Sequence, residues 1–238
     1  MGISTELPEL DATVLATTRY LQALTELTDE RAREPSLLPG WSRGHVVTHI
    51  ARNADAITHA LHQVLNGEDA WMYSSQDDRN AQVEAGAHRP AVELRDDSAA
   101  SCGRLLQVFN ELHPAHLEVG VSRLPGGPVF YPVREATGTR RTEVEVHHAD
   151  LGMGYTPDDW PADFATALVA RRQHELGLDG PSMVLSATDL DGLWKLGSGA
   201  GPEIRGTAGN LAWWLIGRGD GRGLVSSTGE LPRLPKWR

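Results

Sequence analysis

Ser42-Arg-Gly-His-Val-Val-Thr-His-Ile-Ala-Arg-Asn-Ala-Asp-Ala-Ile-Thr-His-Ala-Leu-His-Gln-Val-Leu-Asn-Gly67 spaces Val46, Ile50, Ala54, Ile57, Leu61 and Val64 by threes and fours. That period matches the 3.6-residue turn and puts all six on one face of a helix. Ser42 can accept from the free N–H groups of the first turn, and Asn66-Gly67 supplies the stop. Working outward, Leu10, Val14, Leu15, Leu21, Leu24 and Leu27 predict a helix before it, closed near the turn from Pro35 to Gly40. After a polar stretch around Arg79 to Pro90, Leu105, Leu106, Phe109 and Leu112 form the inner face of a third. A fourth starts after Pro132 and carries Val133, Ala136, Val144 and Leu151. Four helices joined by moderate loops pack most economically as an antiparallel bundle.

Beyond Gly152 the texture changes. Tyr155 to Pro161 reads as a linker that ends in a helix start, with Gly177 or Gly180 as the stop. Met183 to Thr188 and Leu193 to Leu196 flank the turn residues Asp189-Leu-Asp-Gly192, the signature of a β-hairpin. A short apolar helix from Ala208 to Gly217, holding Trp213 and Trp214 as core, and a strand from Leu224 to Ser227 complete the pattern. The expected class is α+β: a bundle over residues 1–155 and a smaller α/β domain over 156–238.

The chain has 238 residues, enough for one large or two modest domains with real cores. Its 32 acidic against 22 basic residues repel a phosphate backbone, and no basic patch offsets them, so nucleic acid is not an expected partner. The apolar run Leu211 to Ile216 is far too short to span a bilayer, and Met1-Gly-Ile-Ser-Thr-Glu6 has neither the basic nor the apolar region of a secretion signal. A cytoplasmic location without membrane contact is expected. A single cysteine, Cys102, excludes an internal disulfide and a thiolate cage, so a bound metal would be held by histidine and carboxylate. Cys102 falls in register with Leu105 and Phe109 and reads as a small buried apolar residue.

The fourth helix contains Thr142-Glu-Val-Glu-Val-His-His-Ala-Asp150. Glu143 and His147, four apart, leave the same face one turn apart and border the apolar stripe. The rival pair, Glu145 and His148, is expected to face water. On the second helix His49 lies beside Val46 and Ile50 on the inner face, whereas His45-Val46 lacks the glutamate that a His-Glu-x-x-His helix needs. His49, Glu143 and His147 make two imidazoles and a carboxylate, the three-ligand pattern of a catalytic zinc site. Spacing alone also admits histidines with satisfied hydrogen bonds. Asp150 could accept from the His147 ring, as could a residue on another helix.

Leu38-Pro-Gly-Trp-Ser-Arg-Gly-His-Val-Val-Thr-His-Ile50, then Glu143-x3-His147-x2-Asp150-Leu-Gly152, and the tail from Gly217-Arg-Gly219 through Ser226-Ser-Thr-Gly-Glu-Leu-Pro232 to Trp237 resemble the mycothiol-dependent maleylpyruvate isomerases. These are a branch of the DinB-like metal-binding bundles. The Trp-Ser-x2-His-x3-His block is shared across DinB-like proteins; the Ser-Ser-Thr-Gly-Glu tail points to this branch. The resemblance implies zinc on His49, Glu143 and His147, mycothiol as cofactor, and a small dicarboxylate substrate. It maps the catalytic arginine of the family onto Arg218, suited to fork onto a carboxylate where bundle and C-terminal domain meet. Met72-Tyr73 and Arg79-Asn80 also match a family stretch, and Arg79 is a further candidate for contacting an anionic cofactor or substrate. The implied reaction is cis-to-trans isomerisation of maleylpyruvate to fumarylpyruvate by thiolate addition, bond rotation and elimination. A mycothiol S-transferase, or a metal-stabilised binding protein without catalysis, would fit the same residues.

Overall fold

The computed structural model describes residues 7–178, 180–198 and 200–237. The stretch at residues 1–6, read above for a targeting signal, lies outside them. The chain divides into two compact units, residues 1–153 and 154–238. No helix among the described residues is long and apolar enough to cross a membrane. The mixture of helices and two small sheets is the α+β class expected.

The first unit is built on α1 (Leu10–Ala23), α2 (Asp29–Arg33), α3 (Arg43–Leu65), α4 (Gln76–Ala87), α5 (Ala91–Phe109) and α6 (Ala136–Asp150). Helix α3 starts where Ser42 Oγ accepts the His45 amide and the His45 ring accepts the Ser42 amide, so both first-turn donors are satisfied. All six apolar residues of its stripe are buried, with Tyr20, Leu94, Val144 and Leu151 at one end of the core and Leu10, Leu105, Phe109 and Tyr131 at the other.

Three expectations for this unit need correction. Val14, Leu15 and Leu106 are exposed at 36%, 59% and 40%, because an apolar residue one step off a helix stripe faces outward despite its chemistry. The polar stretch after Arg79 is helical: Ser75 caps α4, and Asp77 and Asp78 complement its first turn. Only Val83, Gly86 and Ala87 of α4 are buried, which leaves its sequence without an apolar period. Glu145 and His148 do not face water; both are buried. Helix α6 is covered on two sides. Arg140, Glu143 and His147 meet α3, while Glu145 bonds Arg19 at 2.6 Å and His148 packs edge-on to Tyr20, both on α1.

Strands β1 (Ala70–Trp71), β2 (Gly120–Ser122) and β3 (Val129–Pro132) form a small sheet in that order, too short for an alternating signal in sequence. The second unit has α7 (Ala162–Leu176), β4 (Met183–Ala187), β5 (Leu193–Leu196), β6 (Glu203–Gly206), α8 (Ala208–Leu215) and β7 (Val225–Ser226). Its sheet runs β5-β4-β6-β7, with β4 and β5 as the expected hairpin and β6 parallel to β4. Trp214 is buried, and the Trp213 ring packs against Trp160 at 5.7 Å.

Candidate metal centre

Arg140 fixes how α3 and α6 lie against each other. Its fully buried guanidinium donates to the Ile50 carbonyl at 2.9 Å, to Asn53 Oδ1 at 2.7 Å and to Cys102 Sγ at 3.4 Å. Cys102 is therefore buried as expected, but it accepts a hydrogen bond and is not merely apolar packing. One turn beyond Arg140 on α6, and beside Ile50 on α3, three side chains converge.

His49 Nε2 stands 3.1 Å from Glu143 Oε2 and 3.2 Å from His147 Nε2, and the third edge, His147 Nε2 to Glu143 Oε2, is 3.5 Å. Ligand atoms at about 2.0–2.1 Å from a tetrahedral zinc lie about 3.3–3.4 Å apart, so the triangle already has the size of one face of such a site. Two imidazoles and a carboxylate are also the donor set that zinc favours, and a second such group is formed by His45, Glu84 and His88.

The surroundings orient each ring. Asp150 Oδ2 accepts from His147 Nδ1 at 2.9 Å, which leaves Nε2 pointing at the other two ligands. His49 is buried, and its ring meets Trp41 edge-on at 5.6 Å. Arg79, from the first turn of α4, lies 5.6 Å over Trp41 and reaches His49 Nδ1 with Nη2 at 3.0 Å. Arg79 thus reaches the site through the far side of the His49 ring rather than standing in water. Nothing in the residue pattern marks Trp41 as a wall of the site. The buried Tyr131 hydroxyl has no hydrogen-bond partner among the described residues. The Arg123 guanidinium lies over the Tyr73 ring, 5.8 Å from its centre.

Charge is unevenly spread over the triangle. Burial pulls His49 down to about 4, so this ring is neutral near pH 7. Burial acts the same way on His147, but its bonds to Asp150 and Glu143 outweigh it and lift the ring to about 9. Glu143 is pushed up by burial and pulled further down by His147 and His49, leaving it ionised well below the usual carboxylate range. Exchanging the one surplus proton of this set for a divalent cation would leave two neutral imidazoles and a carboxylate.

Arg218 follows α8 in the second unit; it is partly exposed, and its amide closes the helix end on the Trp213 carbonyl at 3.0 Å. His59 and His62, at the far end of α3, are exposed and take no part in the triangle.

Residues 14–152 match the family described as mycothiol maleylpyruvate isomerase N-terminal domain, and residues 117–236 match the MDMPI C-terminal domain of the same family. Two solved structures of a mycothiol-dependent maleylpyruvate isomerase, one of them a histidine-to-alanine mutant, are each 28% identical to this chain, with TM-scores of 0.87 and 0.86. Both comparisons cover 100% of either chain. No curated protein matches the sequence. With both halves of the chain matched and the fold shared from end to end, this protein belongs to the mycothiol maleylpyruvate isomerase family.

Proposed function

We propose that this chain is a zinc-dependent, mycothiol-assisted isomerase that converts maleylpyruvate to fumarylpyruvate. The observation that carries the reading is the triangle of His49 Nε2, Glu143 Oε2 and His147 Nε2, sized for a tetrahedral cation, in a chain of this family. Three protein ligands leave a fourth place open to a small molecule, which separates a catalytic site from a closed structural one. A divalent metal held there supplies the Lewis acidity that makes a thiol a thiolate at neutral pH. The thiol would supply a nucleophile that, by adding to a conjugated double bond and leaving again after rotation about the resulting single bond, would interconvert the cis and trans forms.

The residues of this chain have separable tasks in that reading. Asp150 holds the His147 proton on Nδ1 and so aims Nε2 inward. Arg79 has only donors, and a His49 ring bound through Nε2 carries its proton on Nδ1. With a metal on Nε2 that 3.0 Å contact would be lost, and the guanidinium would be free to hold an anion, either substrate carboxylate or thiolate. Arg218 binds a substrate carboxylate, a role assigned by the family resemblance. Cys102, buried against Arg140, is not the nucleophile.

Turnover of maleylpyruvate with and without mycothiol tests the proposal, with free thiol counted at the end. Isomerisation that requires mycothiol and returns it unchanged supports the reading. Thiol consumed in step with substrate makes the protein an S-transferase, and turnover without mycothiol removes the thiol from the reaction.

A further inference from the structure

A second group of metal-binding side chains lies where α3 begins and α4 ends. His45 Nε2 is 3.2 Å from Glu84 Oε2, and His88 Nε2 is 3.3 Å from Glu84 Oε1. The two rings stand 5.6 Å apart at a near right angle, and one ligand atom from each residue lies within 4.8 Å of the others. The donor set repeats that of the centre formed by His49, Glu143 and His147, and none of these three side chains belongs to it.

Backbone packing explains why they meet. A Cβ at Gly44 would lie 2.2 Å from the Ala87 carbonyl oxygen, and one at Gly86 would lie 2.4 Å from Thr48 Cγ2. Only glycine at both positions allows the last turn of α4 to approach the first turn of α3 this closely. Glu84 and His88 are one turn apart, so both reach the ring that His45 presents from α3. His45 itself is held in place: its side chain is 12% exposed, its ring stacks on Trp41, and its Nδ1 lies 2.7 Å from Ser42 Oγ.

We propose that His45, Glu84 and His88 form a second divalent transition-metal site, of zinc type, that pins the end of α4 to the start of α3. Two imidazoles and a carboxylate suit zinc, cobalt or nickel and are a poor set for calcium or magnesium, which take oxygen ligands. When Nε2 of His45 is ligated, its proton resides on Nδ1 and is donated to Ser42 Oγ, the kind of outer partner that metal-bound histidines keep. The same change takes from the Ser42 amide the acceptor it has at 3.2 Å. Loading therefore costs one cap bond. Together with the exposure of Glu84 and His88, at 69% and 70%, this makes the site weaker than the buried centre and the first to be emptied by a chelator.

The test uses the full chain, stripped of metal and titrated with zinc in competition with a chromophoric chelator. His88→Ala and Glu84→Gln change exposed side chains, and thermal melts check that both fold as the parent does. Each variant should bind one zinc per chain fewer than the parent, and the missing equivalent should be the weaker one. The same uptake in the parent and in either variant overturns the proposal, whether the count is one or more. The comparison is independent of the buried centre: His147→Ala should lose the tighter equivalent and keep the weaker, so failure at one site is not mistaken for failure at the other.

Discussion

At the scale of single residues, the proposed metal centre is a matter of which atoms carry protons. His49 is neutral because burial disfavours its charged form, with a value near 4, whereas His147 keeps its proton up to about 9 because Asp150 and Glu143 both accept from it. Zinc entering at pH 7.5 should therefore expel close to one proton, from His147. Affinity should rise about tenfold per pH unit up to the titration of that ring and level off above it. Calorimetry in two buffers of different ionisation enthalpy measures the release, and zinc uptake with no proton released sinks the assignment. Replacing His49, Glu143 or His147 by alanine should remove most bound zinc and nearly all turnover, since two protein ligands hold the ion poorly. Metal analysis decides this, and near-stoichiometric zinc in any two of these variants contradicts the site.

At the scale of elements, α6 is the informative case. A single apolar stripe suggested one buried face and one wet one, but α3 and α1 cover opposite sides of this helix, and its polar residues are buried with partners. Arg19→Ala should cost about 1.5–3 kcal/mol, the usual range for losing a hydrogen bond to a charged group, without emptying the metal centre. Urea unfolding and zinc analysis of the same variant check both halves of that statement. The Arg140 contact between α5 and α6 makes a similar distinction. Cys102→Ala leaves one guanidinium N–H of a fully buried arginine unpaired and should cost about 1–3 kcal/mol, whereas a serine at this place keeps an acceptor and should cost less. Equal losses in the two variants would mean that sulfur packing, not the hydrogen bond, matters there.

For the whole molecule, the question is whether the second unit takes part in the chemistry that the first can house. Arg218 is the residue to ask. Its amide ends α8 on the Trp213 carbonyl, a bond that truncating the side chain does not touch. Arg218→Ala should therefore melt as the parent does and bind zinc normally. Its kcat/KM should nevertheless fall by about 30- to 1,000-fold, as expected for losing a forked charge-assisted contact of roughly 2–4 kcal/mol. Lysine should restore only part of it, having charge without the planar fork. A lowered melt with near-normal turnover would leave Arg218 as a helix-end residue alone.

Periodicity and punctuation in the sequence were enough to place the main bundle helices, the hairpin of β4 and β5, and the pairing of Glu143 with His147, because each depends on neighbours within a few residues. They also pointed to His49, since a histidine beside Val46 and Ile50 must share their face. Other features depend on contacts between distant residues. The sequence around α4 has no apolar period because only Val83, Gly86 and Ala87 of that helix are buried, so neither Arg79 beside His49 nor Glu84 and His88 beside His45 could be read from it. Glu145 and His148 looked like surface residues because a sequence window sees one helix at a time, while burial is decided by how many helices surround it. In the sequence the His147 ring could bond either Asp150 or a residue on another helix; the 2.9 Å contact selects Asp150. Local chemistry places His49, Glu143 and His147 in the chain, and only packing across α3, α4 and α6 decides which ring nitrogens carry protons.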